Sequence, residues 1–179
     1  MTVLSQQHRQ AEGEAATTRV TSLAVTSFRN YAECKLEIDS PHVLLLGPNG
    51  AGKTNLLEAV SMLAPGRGLR RARAEHLPQA GAGARAWAVS AGVHVDGTDY
   101  RIGSGVAAQS ENGHRIMRCD GEAVSQSDIG RLFSASWVTP SMDGIFTDSP
   151  GARRRFLDRL VIAFDAAHIG RTNRYEKML

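Results

Sequence analysis

The chain has 179 residues and a mass of 19.3 kDa, the size of one ordinary domain, which argues against two large independent domains. Hydrophobic residues make up 42% and charged residues 22%, so the chain is not wholly disordered, and no apolar run approaches the ~18 residues of a membrane-spanning helix. The net charge of +3 is too small to indicate a nucleic-acid partner on its own.

The amino-terminal segment 1–18 has no apolar period, so we expect a disordered extension there. It lacks the basic region and the apolar stretch of a secretory signal, and we therefore expect cytoplasmic residence. Cys34 and Cys119 have neither a C-x-x-C pattern nor a histidine at ligand spacing, which argues against a zinc site and a disulfide scaffold. We expect both cysteines to be small buried side chains.

The first half of the chain predicts a hairpin followed by strand, loop and helix. Residues 20–26 and 34–38 are strand-like and close enough in sequence to pair. The apolar run HVLLL at 42–46 predicts a further strand, and a glycine-rich turn follows it. Apolar residues then recur at helical spacing, which predicts a helix over 53–63.

The second half predicts mostly antiparallel strands and two helices. In chain order we expect strands at 85–95 and 100–107 joined at Asp96-Gly97, a strand at 114–119, a short helix from Ser125, a strand at 135–139, and a helix opened by Ser149-Pro150. Trp87 and Trp137 fall in strand-like stretches, and we expect both to be core residues. The six histidines have no ligand spacing, so no metal or catalytic role is predicted for them.

Residues 47–54 read GPNGAGKT and fit the phosphate-loop pattern G-x-x-x-x-G-K-[ST], between an apolar run and an amphipathic helix. The glycines let successive backbone N–H groups turn toward phosphates, and the helix adds its positive amino-terminal end. We expect Lys53 to reach the β- and γ-phosphates and the Thr54 hydroxyl to ligate Mg²⁺. The predicted nucleotide-binding residues are therefore Gly47, Pro48, Asn49, Gly50, Ala51, Gly52, Lys53 and Thr54.

Three kinds of phosphate-loop protein stay open at this point: a small self-contained GTPase or kinase, a large ATPase head, and a nucleotide-gated interaction module. A GTP-binding switch needs D-x-x-G, which residues 148–151 fit loosely, and also N-K-x-D, which is absent. A small-molecule kinase needs a lid and a parallel strand after the first helix, whereas hairpin signals follow it here. The hairpins favour a large ATPase head, and a nucleotide-gated interaction module without turnover is the third possibility.

Eighteen of the 21 basic residues are arginines, a bias that a high-GC genome would also produce. Their positions are more informative, since they form two clusters: Arg67, Arg70, Arg71 and Arg73, and then Arg153, Arg154, Arg155 and Arg159. The first cluster is a candidate DNA-binding surface or an ordinary solvated loop. The second is more typical of a packed helix with paired surface arginines.

Six segments in this order resemble the amino-terminal part of the RecF family of DNA replication and repair proteins, relatives of the SMC and Rad50 ATPases. They are VTSFRNY, LLLGPNGAGKTNLLEAV, GRGLRRAR, WVTPSMD, SPGARRRFLDRL and YEKML. Many families share the phosphate loop, but the lead-in F-R-N-Y at 28–31 and R-R-R-F-L-D at 153–158 are much narrower patterns. The resemblance runs from about Val20 to the last residue.

This resemblance implies an α/β fold, the amino-terminal lobe of an ABC-type ATPase head over 19–148, with a helical arm beginning over 149–179. It implies ATP and Mg²⁺ as cofactors, an ATP-dependent homodimer in the full-length protein, and weak DNA-dependent ATPase activity. The implied partners are DNA at junctions of single and double strand, with RecO and RecR assisting the placement of RecA. No membrane association is implied.

The chain departs from the family pattern in two respects. It shows no apolar run ending in paired acidic residues, as a Walker B strand would, and no L-S-x-G-Q signature. We therefore expect a fragment of a longer protein that hydrolyses nothing by itself. In addition, Ser141 stands where the family has Gln or Glu to touch Mg²⁺ and the attacking water, which puts that contact in doubt.

Overall fold

The computed structural model of the protein describes residues 18–79, 86–110, 113–165, 167–176 and 178. It contains six strands and four α-helices, with single 3-10 turns at Ala74–His76 and Pro140–Met142. In chain order these are β1 (Thr18–Phe28), β2 (Tyr31–Glu37), α1 (Lys53–Ser61), β3 (Trp87–Val95), β4 (Thr98–Val106), β5 (Ile116–Cys119), β6 (Glu122–Val124), α2 (Gln126–Leu132), α3 (Pro150–Phe164) and α4 (His168–Glu176).

The six strands form one antiparallel sheet in the order β2-β1-β3-β4-β5-β6. β1 lies between its hairpin partner β2 and the later strand β3, and Thr26 of β1 faces Ala88 of β3. Two tight turns, Asp96-Gly97 and Asp120-Gly121, adopt positive φ at both residues, as two-residue hairpins require. The predicted opening hairpin of β1 and β2 and the predicted hairpin at Asp96-Gly97 are confirmed. The hairpin at Asp120-Gly121 was not predicted, because the three residues of β6 were not predicted as a strand.

One face of the sheet carries the core. Along β3 the buried positions alternate, with Trp87, Val89 and Val93 on the covered face. α1 lies over this face and contributes Leu56 and Ala59, so the helix after the glycine-rich loop is anchored by apolar burial. Each large side chain buried in this way contributes roughly 1.5–3 kcal/mol.

The predicted strand at 42–46 is wrong. These residues pair with none of the six strands, and Val43, Leu44 and Leu46 are 45%, 65% and 81% exposed. An apolar run becomes a strand only when a neighbour supplies hydrogen-bond partners for its backbone. No strand of the described residues does so here.

Several smaller predictions also need correction. Residues 135–139 form no strand, and Trp137 is half-buried rather than in the core, whereas Trp87 is a core residue as predicted. Of the predicted extension 1–18, Thr18 already belongs to β1, and residues 1–17 lie outside the described part of the chain.

Both cysteines are free and half-buried rather than fully buried. Cys34 lies on β2 and Cys119 on β5, four strand positions apart, which is about 19 Å at the usual strand spacing. A disulfide between them is therefore excluded by distance.

Helix α2 begins at a capping box in which Ser125 accepts from the Asp128 N–H while the Asp128 carboxylate accepts from the Ser125 N–H. α3 begins at Ser149 with Pro150 in its first turn, as predicted. Among the described residues, no helix combines the length and the apolar character that a bilayer crossing needs.

Candidate nucleotide-binding site

The glycine-rich loop before α1 adopts a conformation that depends on its glycines. Gly50 and Gly52 have φ of 84° and 95°, in the left-handed region that favours glycine. Gly52 is the N-cap of α1, and no side chain caps that helix end. The first N–H groups of the helix are therefore available to an anion, as the phosphate-loop pattern predicts.

Lys53 folds back over this loop. Its Nζ donates to the carbonyl oxygens of Gly47 and Pro48, both at 2.7 Å. The ammonium group is thus held within the loop, at the helix end where phosphates bind. Thr54 follows on the same helix end and is exposed, so its hydroxyl is accessible to a metal ion beside the loop.

The turn between β1 and β2 lies against the phosphate loop. Tyr31 Oη donates to the carbonyl oxygen of Ala51 at 3.3 Å, and Asn55 Nδ2 on α1 donates to Asn30 Oδ1 at 2.7 Å. A Cβ at Gly52 would lie 2.5 Å from Tyr31 Oη and 2.6 Å from Asn30 Nδ2. Only glycine therefore allows the hairpin turn and the loop to approach this closely.

A buried carboxylate joins the same turn to α1. Glu58 is 1% exposed, and its two oxygens accept from Arg29 at 2.7 and 2.9 Å and from Arg70 at 2.7 Å. Arg70 Nη1 also donates to Asn55 Oδ1 at 2.7 Å. Because each charge has hydrogen-bonded partners, the burial of Glu58 is compensated.

Arg29 also fixes the turn from the other side. It adopts φ 58°, its N–H donates to the Leu77 carbonyl at 2.8 Å, and its Nη1 donates to the His76 carbonyl at 2.9 Å. The preceding Phe28 is fully buried and packs edge-on against Trp87, with ring centroids 5.6 Å apart. The F-R-N-Y lead-in is therefore the structural support of the phosphate loop.

Sequence reasoning identified 28–31 as a family pattern but assigned no role to Arg29, Asn30 or Tyr31, and it missed Asn55 and Glu58 altogether. One signal was present for Glu58. It lies two residues after Leu56 and one before Ala59, inside the apolar face of α1, where an isolated acidic residue calls for a buried basic partner.

The four arginines of the first cluster do not form one surface. Arg70 is part of the Glu58 network, and Arg73 lies 3.5 Å from Glu75. Arg67, Arg71 and also Arg73 line a cavity. Contact of these residues with DNA stays a prediction.

In the second cluster, Arg154 pairs with Asp158 at 3.4 Å, as the helical spacing predicted. Arg153 Nη1 donates to the Asp148 carbonyl at 2.6 Å. The side chain of Ser141 lies outside the described part of the chain, so its contact with a metal or water stays a prediction.

Comparison with known proteins agrees with this geometry. The family model described as RecF/RecN/SMC N terminal domain matches residues 19–142. The chain is 46% identical over 160 residues to the DNA replication and repair protein RecF of Agrobacterium fabrum, covering 88% of this chain and 42% of that protein. It is also 46% identical over 158 residues to RecF of Brucella suis, covering 88% and 41%.

Two solved structures share the fold. One, described as the recombination mediator protein RecF with ATPrS in the RecFOR pathway, aligns with a TM-score of 0.79 at 27% identity over 90% of this chain and 43% of the other. The second, the same protein with ATP, aligns with a TM-score of 0.75 at 25% identity over 92% and 45%.

The chain thus spans about two fifths of the length of the relatives that it matches. Within that span it has the α/β architecture of their phosphate-loop head, with the antiparallel sheet and α1 holding the loop. The match covers the lead-in turn, the loop and the sheet together. On this combined evidence the chain belongs to the RecF/RecN/SMC N-terminal domain family.

Proposed function

We propose that this chain is the ATP-binding part of a RecF-type DNA replication and repair ATPase. The observation that carries the proposal is the phosphate loop with Lys53 inside it and the hairpin turn of Asn30 and Tyr31 against Gly52. The solved relatives described with ATPrS and ATP support the choice of nucleotide.

The residues of the loop fit a nucleoside triphosphate with Mg²⁺. The uncapped end of α1 and the glycine backbone supply N–H donors, Lys53 supplies a cation, and Thr54 supplies a hydroxyl ligand for the metal. Bound Mg²⁺ would neutralise developing charge on the phosphates. The residues of this chain would bind and orient the nucleotide. Glu58, the buried carboxylate beside the loop, has a structural part only, because two arginines hold it.

The sheet favours the ATPase head over the small kinase or GTPase. Every pairing within the described sheet is antiparallel, and 42–46, the segment that would be the central parallel strand of a kinase, pairs with none of its strands. In a RecF-type head the rest of the longer protein would supply those strands together with the Walker B and signature segments.

We further propose the remaining properties of the RecF family for the whole protein. These are a cytoplasmic location, an ATP-dependent homodimer, binding to DNA at junctions of single and double strand, and cooperation with RecO and RecR. α3 and α4 would begin the helical arm. The support is the similarity to proteins named for DNA replication and repair and to structures assigned to the RecFOR pathway.

Nucleotide titrations test the proposal. Fluorescent ATP and GTP analogues should bind with ATP preferred, because no guanine-reading N-K-x-D is present. Lys53→Ala should weaken ATP binding at least ~tenfold by removing the cation inside the loop. Lys35→Ala, which removes an exposed lysine paired with Glu33, is the matched control and should bind normally. Equal affinity for both nucleotides, or normal binding by Lys53→Ala, would count against the proposal.

A further inference from the structure

The loop after α1, the segments at 113–115 and 134–148, and helices α3 and α4 line an open cavity of about 790 Å³. Arginines from both sequence clusters line it, so residues that are far apart in the chain come together here. We call the part lined by Arg67, Arg71, Arg155 and Arg159 the arginine pocket. It is separate from the phosphate loop, none of whose residues line it.

Among the described residues that line the cavity, positive charge exceeds negative charge. In the part of the chain that the structure describes, none of its four arginines forms an ion pair with a carboxylate. Three carboxylates also line the cavity, Asp148, Asp158 and Glu176. Asp158 is engaged by Arg154 at 3.4 Å and His168 at 2.8 Å, and the charge of Glu176 acts on Arg71 without forming an ion pair with it. Arg115, also in the lining, donates to the carbonyls of Met62 and Ala64 rather than to an acid, and adds further positive charge.

The arginines also repel one another. Burial lowers the pKa of Arg71, and the charges of Arg155 and Arg67 lower it further, against the opposing effect of Glu176. Burial and the charge of Arg71 likewise lower the pKa of Arg159. Like charges held together in a partly desolvated space destabilise the folded chain unless an anion joins them.

Two buried donors in the same lining have no acceptor. Arg159 Nε and Trp137 Nε1 are both buried without a hydrogen-bond partner among the described residues. The Arg159 guanidinium lies 4.8 Å from the Trp137 ring centroid and 5.2 Å from that of Phe156. A buried donor left unpaired costs about 1–3 kcal/mol, and both of these need an acceptor.

We propose that the arginine pocket binds a backbone phosphate of a nucleic-acid strand. Guanidinium groups and N–H donors match phosphate oxygens, and an arginine beside a tryptophan is the combination that holds a strand by its phosphates and bases. The cavity volume is within the range of pockets that take a molecule the size of a nucleotide. This inference rests on the proposed function, because it gives the DNA-binding activity a specific site.

The pocket divides the first arginine cluster into two kinds of residue. Arg67 and Arg71 belong to it and have no ion-pair partner among the described residues. Arg70 instead supports the phosphate loop through Glu58, and Arg73, which also lines the cavity, is paired with Glu75. Replacing all four together would mix a loss of DNA contact with a loss of structure. A test must therefore combine Arg71 with Arg155 and leave Arg70 intact.

The experiment measures binding of a fluorescent duplex with a single-stranded gap to the protein expressed from its complete reading frame. We expect Arg71→Gln with Arg155→Gln to weaken binding at least ~tenfold and to reduce the slope of log affinity against log salt by roughly 1. Arg131→Gln is the control, since Arg131 is exposed, pairs only with Asp128 and lies outside the pocket.

Thermal unfolding provides a second readout. Because the substitutions remove repulsion between like charges, the melting temperature of the double variant should equal or exceed that of the unaltered protein. A purely structural role of these arginines predicts a lower melting temperature instead. A double variant that binds DNA more weakly and also has a lower melting temperature than the unaltered protein would therefore overturn the inference.

The remaining outcomes distinguish a failure of the proposed function from a failure of the inference about the arginine pocket. If the unaltered protein binds no DNA, the proposed function falls and the inference with it. If the double variant binds the gapped duplex as tightly as Arg131→Gln does, only the inference falls. If inorganic phosphate raises the melting temperature of the unaltered protein while DNA affinity is the same in all variants, the pocket holds free phosphate, which also overturns the inference.

Discussion

Gly52 carries two requirements at one position. Its φ of 95° is strained for any other residue, and a Cβ there would collide with Tyr31 Oη and Asn30 Nδ2. Gly50, two residues earlier, shares the left-handed backbone, with φ 84°, but a Cβ there would have nothing within 4 Å. Comparing substitutions at these two glycines therefore separates the cost of backbone strain from the cost of losing the contact with the hairpin turn.

We predict that Gly52→Ala destabilises the protein clearly more than Gly50→Ala does. The latter should cost about 1 kcal/mol from backbone strain alone, and the former up to about 3 kcal/mol because the turn must also move away. Chemical denaturation without nucleotide measures both. Equal losses would mean that the contact between turn and loop contributes no stability.

Glu58 illustrates how much one helix depends on a charge that it buries. We predict that Glu58→Gln lowers the free energy of unfolding by about 3 kcal/mol, because it leaves Arg29 and Arg70 without their counter-charge. This is the low end of the usual range, since both arginines are partly exposed and water screens them.

Glu33→Gln is the matched control, because Glu33 and its partner Lys35 are both exposed. It should leave stability nearly unchanged, because exposed ion pairs contribute little. Urea denaturation of both variants checks the prediction. A Glu58→Gln variant as stable as Glu33→Gln would contradict the structural role of the buried carboxylate.

The capping box of α2 should make this helix sensitive to acid. The Ser125 hydroxyl, and then its backbone N–H, hold the pKa of Asp128 below its usual value of 3.8. A lowered pKa in the folded state means that the cap stabilises α2 fully above the usual Asp range and loses this contribution as the pH falls below about 4.

Carboxyl NMR titration of Asp128 measures this directly. Ser125→Ala should return the pKa toward its ordinary value and cost about 1 kcal/mol of stability at neutral pH. An unchanged Asp128 pKa in Ser125→Ala would contradict the assigned cause.

The elements that sequence predicted correctly are those with local signals. Asp96-Gly97 fixes a hairpin turn, and Ser125 and Ser149 begin helices, by contacts within three or four residues. The prediction of a strand at 42–46 was wrong because a strand needs a partner strand, and the sequence pattern of the run does not show whether one is present. The phosphate-loop pattern is visible in the sequence, and the nucleotide contacts of its residues stay a prediction. The support of the loop by Arg29 and Glu58 was not predicted, because those contacts join residues 29 positions apart.

At the scale of the whole molecule, the exposed run 42–46 predicts how residues 1–179 behave when purified alone. We expect this polypeptide to bind Mg-nucleotide weakly, to remain undimerised on addition of ATP, to hydrolyse nothing above background and to aggregate. The physical reasons are the exposed Val43, Leu44 and Leu46 and the lack of a Walker B carboxylate and a signature segment.

Phosphate release, light scattering and size-exclusion chromatography with and without ATP check this prediction. Leu46→Lys should reduce the light scattering, because Leu46 is 81% exposed and no core contact is lost. Robust turnover that Lys53→Ala abolishes, from a well-behaved monomer, would favour the small kinase or GTPase instead.

The place of β1 between β2 and β3 has a consequence for the order of folding. The β1–β2 and β3–β4 hairpins join neighbouring segments and can close within microseconds. Pairing of β1 with β3 brings together residues between 62 and 77 positions apart, and the chain between them carries the phosphate loop and α1. The phosphate loop therefore lies inside the longest closure of the described sheet, and we expect it to become ordered only after the two hairpins have met.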